Sequence, residues 1–149
     1  MHIEILNKTK EIQTVIIHLK AGEEVPLHDH PYTHVFLYVT AGELQMDCFD
    51  YIRQPDKHIW IKPTISKVFR TSDNVLMTPQ ENNLHHIKAI TDVSFMDVVT
   101  PGYFESSNEP NWFGVVEQTS ESIQVQEIPQ PEYLVKAKAE ALKKFESLN

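Results

Sequence analysis

GEEVPLHDHPYTHVFLYVTAG, residues 22–42, decides the fold. It begins and ends on glycine, a residue of turns, and its second half, 35–39, is rich in β-branched and aromatic side chains and reads as a strand. Before that strand stand His28 and His30, two apart on an extended segment, so both side chains leave the same side about 6.6 Å apart along the backbone. Their ring nitrogens can converge on one ion. A third imidazole is offered by Asn83-Leu84-His85-His86, where neighbouring strand residues face opposite ways and only one of His85 and His86 can join. The chain's only cysteine is Cys48, which excludes a closed zinc site built from several thiolates. The site is therefore expected to be open.

Working outward, short β-rich runs recur about every ten residues, at 13–19, 35–39, 43–51, 58–62, 66–70, 74–77, 86–90 and 93–99. Gly22, Ala41-Gly42, Gln54-Pro55-Asp56, Pro63 and Thr71-Ser72-Asp73-Asn74 punctuate them. This spacing predicts an all-β fold, a single β-barrel of the jelly-roll type over residues 1–130, rather than βαβ units. Residues 102–114 read as loop, and 123–128 as one more strand. From Pro131 to Asn149 the period changes. Leu134, Ala137, Ala141, Leu142, Phe145 and Leu148 recur at helical spacing, with Glu132, Lys136, Glu140 and Lys144 around the other face. This is a C-terminal amphipathic helix of about four turns, expected to dock on the barrel or on a second copy in a homodimer.

A chain of 149 residues is one domain's worth. Its 13 basic and 21 acidic side chains give a formal charge of −8, which repels phosphate backbones and anionic lipid, so neither nucleic acid nor a membrane is an expected partner. No run approaches the roughly 20 apolar residues of a bilayer span, and the first residues lack the pattern of an export signal. With one thiol, a reducing cytoplasm is the expected location.

Gly22, His28, His30, Val35 and Gly42 are spaced as in the first motif of the cupins, which the chain resembles, with Val35 where those proteins usually carry a glutamate ligand. Without that carboxylate, three neutral nitrogens leave three positions open on an octahedral ion, an arrangement suited to Fe(II) with substrate and dioxygen side by side. More narrowly, the chain resembles the thiol dioxygenases that include cysteamine (2-aminoethanethiol) dioxygenase and the plant cysteine oxidases. The likeness runs through Pro26-Leu27-His28-Asp29-His30-Pro31 with Val35-Phe36 and Gly42, then Asn83-Leu84-His85 with Ala89-Ile90-Thr91, then Met96 to Tyr103. It implies His28, His30 and His85 as the metal ligands, with Asp97 near the metal and Tyr103 as the tyrosine following the proline. The chain departs from the family's usual Gly-Met-Thr at Tyr32-Thr33-His34 and from its glycine at Asn82.

In such a site a thiol gains both atoms of O2 on sulfur and leaves as a sulfinic acid. An ammonium group beside the sulfur would take an anionic wall, which Asp97, Asp29 or a tyrosine hydroxyl could supply. The chain's arginines are Arg53 and Arg70, both outside the metal motifs, so a substrate carboxylate has no arginine to meet. The expected substrate is cysteamine or the N-terminal cysteine of a peptide. Asp97 and Tyr103 are the expected catalytic groups, while Tyr32 and His34 beside the entrance join Asp97 as expected substrate contacts. The alternative is a non-catalytic cupin that binds a small ligand through zinc or nickel. Cys48, set among alternating apolar residues, reads as a buried small hydrophobe.

Overall fold

Alternation along residues 34–41 produces the central feature of the molecule, seen in a computed structural model that describes residues 1–52, 57–104 and 108–148. Val35, Leu37 and Val39 are completely buried while His34, Phe36 and Thr40 are exposed, as period-two side-chain direction requires of a strand with one wet face. Strands β1 (His2–Lys8), β2 (Gln13–Leu19), β3 (Glu24–His28), β4 (His34–Ala41), β5 (Leu44–Ile52) and β6 (Ile59–Phe69) form the first half of the chain. Strands β7 (Asn74–Met77), β8 (Leu84–Ala89), β9 (Val93–Thr100), β10 (Trp112–Gln118) and β11 (Ile123–Ile128) follow, then helix α1 (Glu132–Ser147).

Five strands make an antiparallel sheet in the order β1-β2-β9-β4-β7, and six close into a barrel in the order β10-β11-β6-β5-β8-β3. The main core joins Leu37 and Phe95 of the sheet to Met46, Phe69 and Ile87 of the barrel strands. The all-β jelly-roll expectation holds, with a single C-terminal helix. Gly42 makes the β4–β5 turn at φ +85°, where a Cβ would strike the carbonyl oxygen of Asp92. Only glycine fits there.

Three strands escaped the sequence reading. β1 was passed over, β3 holds a proline, and β10 rises from a segment read as loop from 102 to 114. The runs expected at 58–62 and 66–70 are one strand, β6, which passes through Pro63. Opposite Phe49 and Cys48 stand Pro63 and Ile65, leaving Thr64 unpaired, and such a bulge is where a strand tolerates proline. Arg53 and the turn at Gln54-Pro55-Asp56 lie outside the described residues.

Helix α1 lies on the five-stranded sheet of its own chain. Ala137 and Ala141 pack on Ile3, Ile5 and Val15, and Leu134 joins the main core. Leu148, assigned to the apolar stripe, is 75% exposed beyond the helix end. No helix among the described residues is long and apolar enough to cross a membrane.

Candidate metal centre

Strand β3 delivers its last residue to the site through an irregularity. The β3–β8 ladder pairs Val25 with Ile87 and then His28 with His85, so β3 carries one residue more than its partner at Pro26-Leu27. His28 Nδ1 donates to the carbonyl oxygen of Pro26 at 2.7 Å. This leaves Nε2 with its lone pair turned inward. His30 follows just beyond the strand, and its Nδ1 donates to the carbonyl oxygen of Asn83 at 2.6 Å. His85 stands on β8 with its Nε2 2.9 Å from that of His28. His85 is buried and His86, its neighbour, turns outward to Glu24.

One nitrogen from each of His28, His30 and His85 lies within 4.8 Å of the others. Burial and mutual repulsion hold the pKa values of His28 and His85 well below the ordinary imidazole range, and burial brings that of His30 down to about 4. All three rings are therefore neutral at pH 7, the form that ligates metal. His85 Nδ1 has no partner, so at 2.9 Å the two Nε2 atoms either share a proton donated by His85 to His28 or hold a cation between them. For metal–nitrogen bonds of 2.0–2.1 Å at a right angle the expected separation is about 2.9 Å. The donor set fits a divalent transition metal, and no acidic residue belongs to the cluster.

Two side chains hold the ligand-bearing turn. Asn83 accepts from the His30 amide through Oδ1 at 3.1 Å, and its Nδ2 donates to the carbonyl oxygens of His30 and Thr78, both at 2.9 Å. Asp29, between the two histidines, accepts from the Tyr51 hydroxyl at 2.6 Å and from the Asn111 amide at 2.7 Å. It thereby ties the turn to the segment before β10. Asp29 is spent on this bracing and does not face the histidines' cavity, so the sequence expectation that it could meet a substrate ammonium is set aside.

The three rings open on a cavity of about 40 Å³ between the sheet, the barrel and α1, room for a few water molecules. Asp97 of β9 lines it, its Oδ1 without a hydrogen-bond partner, and burial raises its pKa to about 7. The hydrogen bond to a ligating histidine that would have made Asp97 a purely structural residue is absent among the described residues. Tyr103 lines the same cavity, its hydroxyl pushed further up by burial and by the nearby Asp97 charge.

The structure does not bring Tyr32 and His34 to this cavity. Tyr32 is 79% exposed in a left-handed turn at φ +61°, and His34 occupies an outward position on β4 opposite Thr100. Burial of Val35, Leu37 and Val39 fixes that parity. Two residues that the sequence reading missed take part instead. Trp112 of β10 sits against His28 with ring centroids 4.5 Å apart. Lys138 of α1 reaches the cavity wall. A signal existed, since Lys138 lies four residues after Leu134 and three before Ala141, a charged side chain within the apolar stripe.

A family model described as PCO_ADO matches residues 2–147. The chain is similar to the 2-aminoethanethiol dioxygenase of Mus musculus, 28% identical over 141 residues that cover 78% of this chain and 54% of the mouse protein. It thus spans about half the length of that curated relative. Among solved structures, a Klebsiella pneumoniae protein with a double-stranded beta-helix domain superposes with a TM-score of 0.55 at 18% identity, over 72% of this chain and 75% of that one. An RmlC-like cupin from Shewanella frigidimarina gives 0.53 at 21% identity, over 68% and 76%. Both share the fold.

Proposed function

Because the chain belongs to the PCO_ADO family, we propose that it is a thiol dioxygenase whose iron(II) is held by His28, His30 and His85 and whose substrate is a small thiol bearing an amine. The observation that carries this reading is the cluster of three neutral imidazoles, with no carboxylate in it, opening on the cavity that Asp97 lines. Bound there, iron(II) supplies the activation of dioxygen and the transfer of both its atoms to sulfur. The balance R–SH + O2 → R–SO2H needs no other reductant.

The residues of the chain then have separate tasks. His28 and His30 keep their Nε2 atoms inward because Pro26 and Asn83 accept their Nδ1 protons. Asp97 presents an oxygen with no partner in the protein, and an amine next to the thiol would give it one, a charge-assisted bond that also holds the carboxyl ionised. The Tyr103 hydroxyl, beside Gln13, stays protonated at the edge of the same cavity. The aromatic and aliphatic wall around Trp112 and Phe95 limits water at the sulfur. The small volume of about 40 Å³ favours a free metabolite over the N-terminus of a peptide.

The test is direct. Iron-loaded protein prepared without oxygen and then exposed to air with cysteamine should consume O2 and yield a product heavier by two oxygen atoms. No oxygen uptake with any small aminothiol overturns the proposal.

A further inference from the structure

Resting on that reading, we propose that Lys138 is a specificity-determining residue that receives a carboxylate, so that the aminothiol taken by this chain is also an acid, of which free cysteine is the simplest. Asp97 and Lys138 are the side-chain carboxylate and the side-chain ammonium among the residues that line the cavity with the three histidines, the Met1 α-ammonium being paired with Glu23. They stand on different elements, β9 and α1. They form no salt bridge with each other, and Lys138 makes no hydrogen bond or ion pair among the described residues. Its ammonium lies instead over two cavity-wall rings, 5.4 Å from the centroid of Tyr103 and 5.8 Å from that of Trp112.

Of these two poles, Asp97 thus has no cation bonded to it, and the only opposite charge felt by Lys138 among the described residues is that of Glu109, which makes no salt bridge with it and does not line the cavity. A partly buried charge without a counter-ion is costly unless a ligand completes it. Tyr103 is near both poles, its hydroxyl under the influence of Asp97 and its ring under the Lys138 ammonium. Trp112 in turn joins Lys138 to His28, whose ring lies 4.5 Å from its own at a tilt of 33°. A molecule with its sulfur at the histidines, its ammonium at Asp97 and its carboxylate at Lys138 satisfies both poles. Cysteamine satisfies only one. The absence of an arginine from the metal motifs, which spoke against a carboxylate on the substrate, is answered by a lysine from the last helix.

Anaerobic calorimetric titration of the iron-loaded protein with cysteine and with cysteamine, followed by oxygen uptake on the same samples, tests this. The ratio of cysteine affinity to cysteamine affinity should fall about tenfold or more in Lys138→Met, as expected for loss of a charge-assisted hydrogen bond, and should recover in Lys138→Arg. Methionine keeps the apolar stem over Tyr103 and Trp112, and an unchanged thermal midpoint shows that α1 is still docked. A ratio that is the same in Lys138→Met as in the natural protein overturns the role of Lys138, even where both thiols are oxidised. Binding that follows the expected pattern without any oxygen uptake supports Lys138 and overturns the dioxygenase reading instead.

Discussion

His28 and His85 face each other across the β3–β8 ladder with their Nε2 atoms 2.9 Å apart. Neither ring can turn away, since His28 is pinned by Pro26 and His85 is enclosed by the barrel. The pair is therefore preorganised for a metal. His85→Ala should reduce bound iron from about one equivalent to near zero. Loss of a supporting group alone costs 10–100-fold in affinity, so loss of a ligand should cost roughly 100-fold or more. Metal analysis after purification without chelators checks this.

Acid should destabilise the metal-free protein through the same rings. In the unfolded chain histidine takes its proton near pH 6.5, whereas folded His30 waits until about pH 4 and His28 and His85 titrate well below their ordinary range. Between those limits the unfolded state binds more protons, so stability falls as pH drops from about 6.5 toward 4 and is fully present above 6.5. His30 alone accounts for about 3 kcal/mol of that loss. Denaturant melts at pH 7 and pH 4.5 measure it, and a bound divalent metal should move the loss to lower pH.

Asp97 works in the opposite direction. Its folded pKa of about 7 lies above the usual carboxylate value, so the folded state holds the extra proton and this group's cost disappears as pH falls below 7. Asp97→Asn should therefore stabilise the metal-free protein at pH 8, by at most about 4 kcal/mol, and have little effect at pH 4. Cysteamine oxidation by the same variant should fall, because the amide carries no charge for the ammonium. Equal stability changes at the two pH values would show that the carboxylate is partnered in solution. The combination of a more stable and less active variant is what a functional buried charge produces.

The alternation of Val35, Leu37 and Val39 is written in adjacent residues, and so the strand, its parity and the jelly-roll class were legible before any coordinates. His28, His30 and a third imidazole were legible too, because their spacing needs only strand geometry. Pro63 misled, since a bulge at Thr64 lets a strand continue through a residue that local rules treat as a stop. Lys138 stood out only as a charge within the apolar stripe of α1, and its place at the site was hidden for a different reason. Its partners are on β10 and after β9, and no local pattern joins a helix at the end of the chain to a strand that ends at residue 28. Tyr32 and His34 were drawn to the site by closeness in sequence to His30, but the core-facing demand of β4 sends His34 outward.

Tyr32 and Asn82 hold left-handed backbones at φ +61° and +56°, at the two places where the resembling family carries glycine. For Tyr32 the side chain is exposed and compensates nothing. An L-residue in this region costs about 1–2 kcal/mol, offset in part by the larger unfolded-state entropy of glycine. Tyr32→Gly should be neutral or stabilising by up to about 1 kcal/mol in thermal melts, with metal content unchanged. A clear loss of stability would mean that the ring makes contacts in solution. Asn82→Gly should not share the benefit, because the Asn82 side chain accepts from Thr64 at 2.6 Å.

Asn83 ties the whole turn together, and its removal should show how much of the metal affinity comes from bracing rather than from the ligands. Asn83→Ala removes the acceptor for the His30 amide and the donor for the carbonyl oxygens of His30 and Thr78. Each lost bond in a buried setting is worth about 1 kcal/mol, so global stability should fall by roughly 2–4 kcal/mol. The Asn83 main-chain carbonyl, which fixes the His30 tautomer, survives the substitution. The ligand should therefore keep its protonation state and lose only its position. Iron affinity should drop roughly 10–100-fold without being abolished, and Asn83→Asp, which keeps the acceptor but not the donor, should fall between alanine and the natural residue. Titration of iron against a competing chelator separates the three proteins, and equal affinities for all three would show that the turn is held by Asp29 alone.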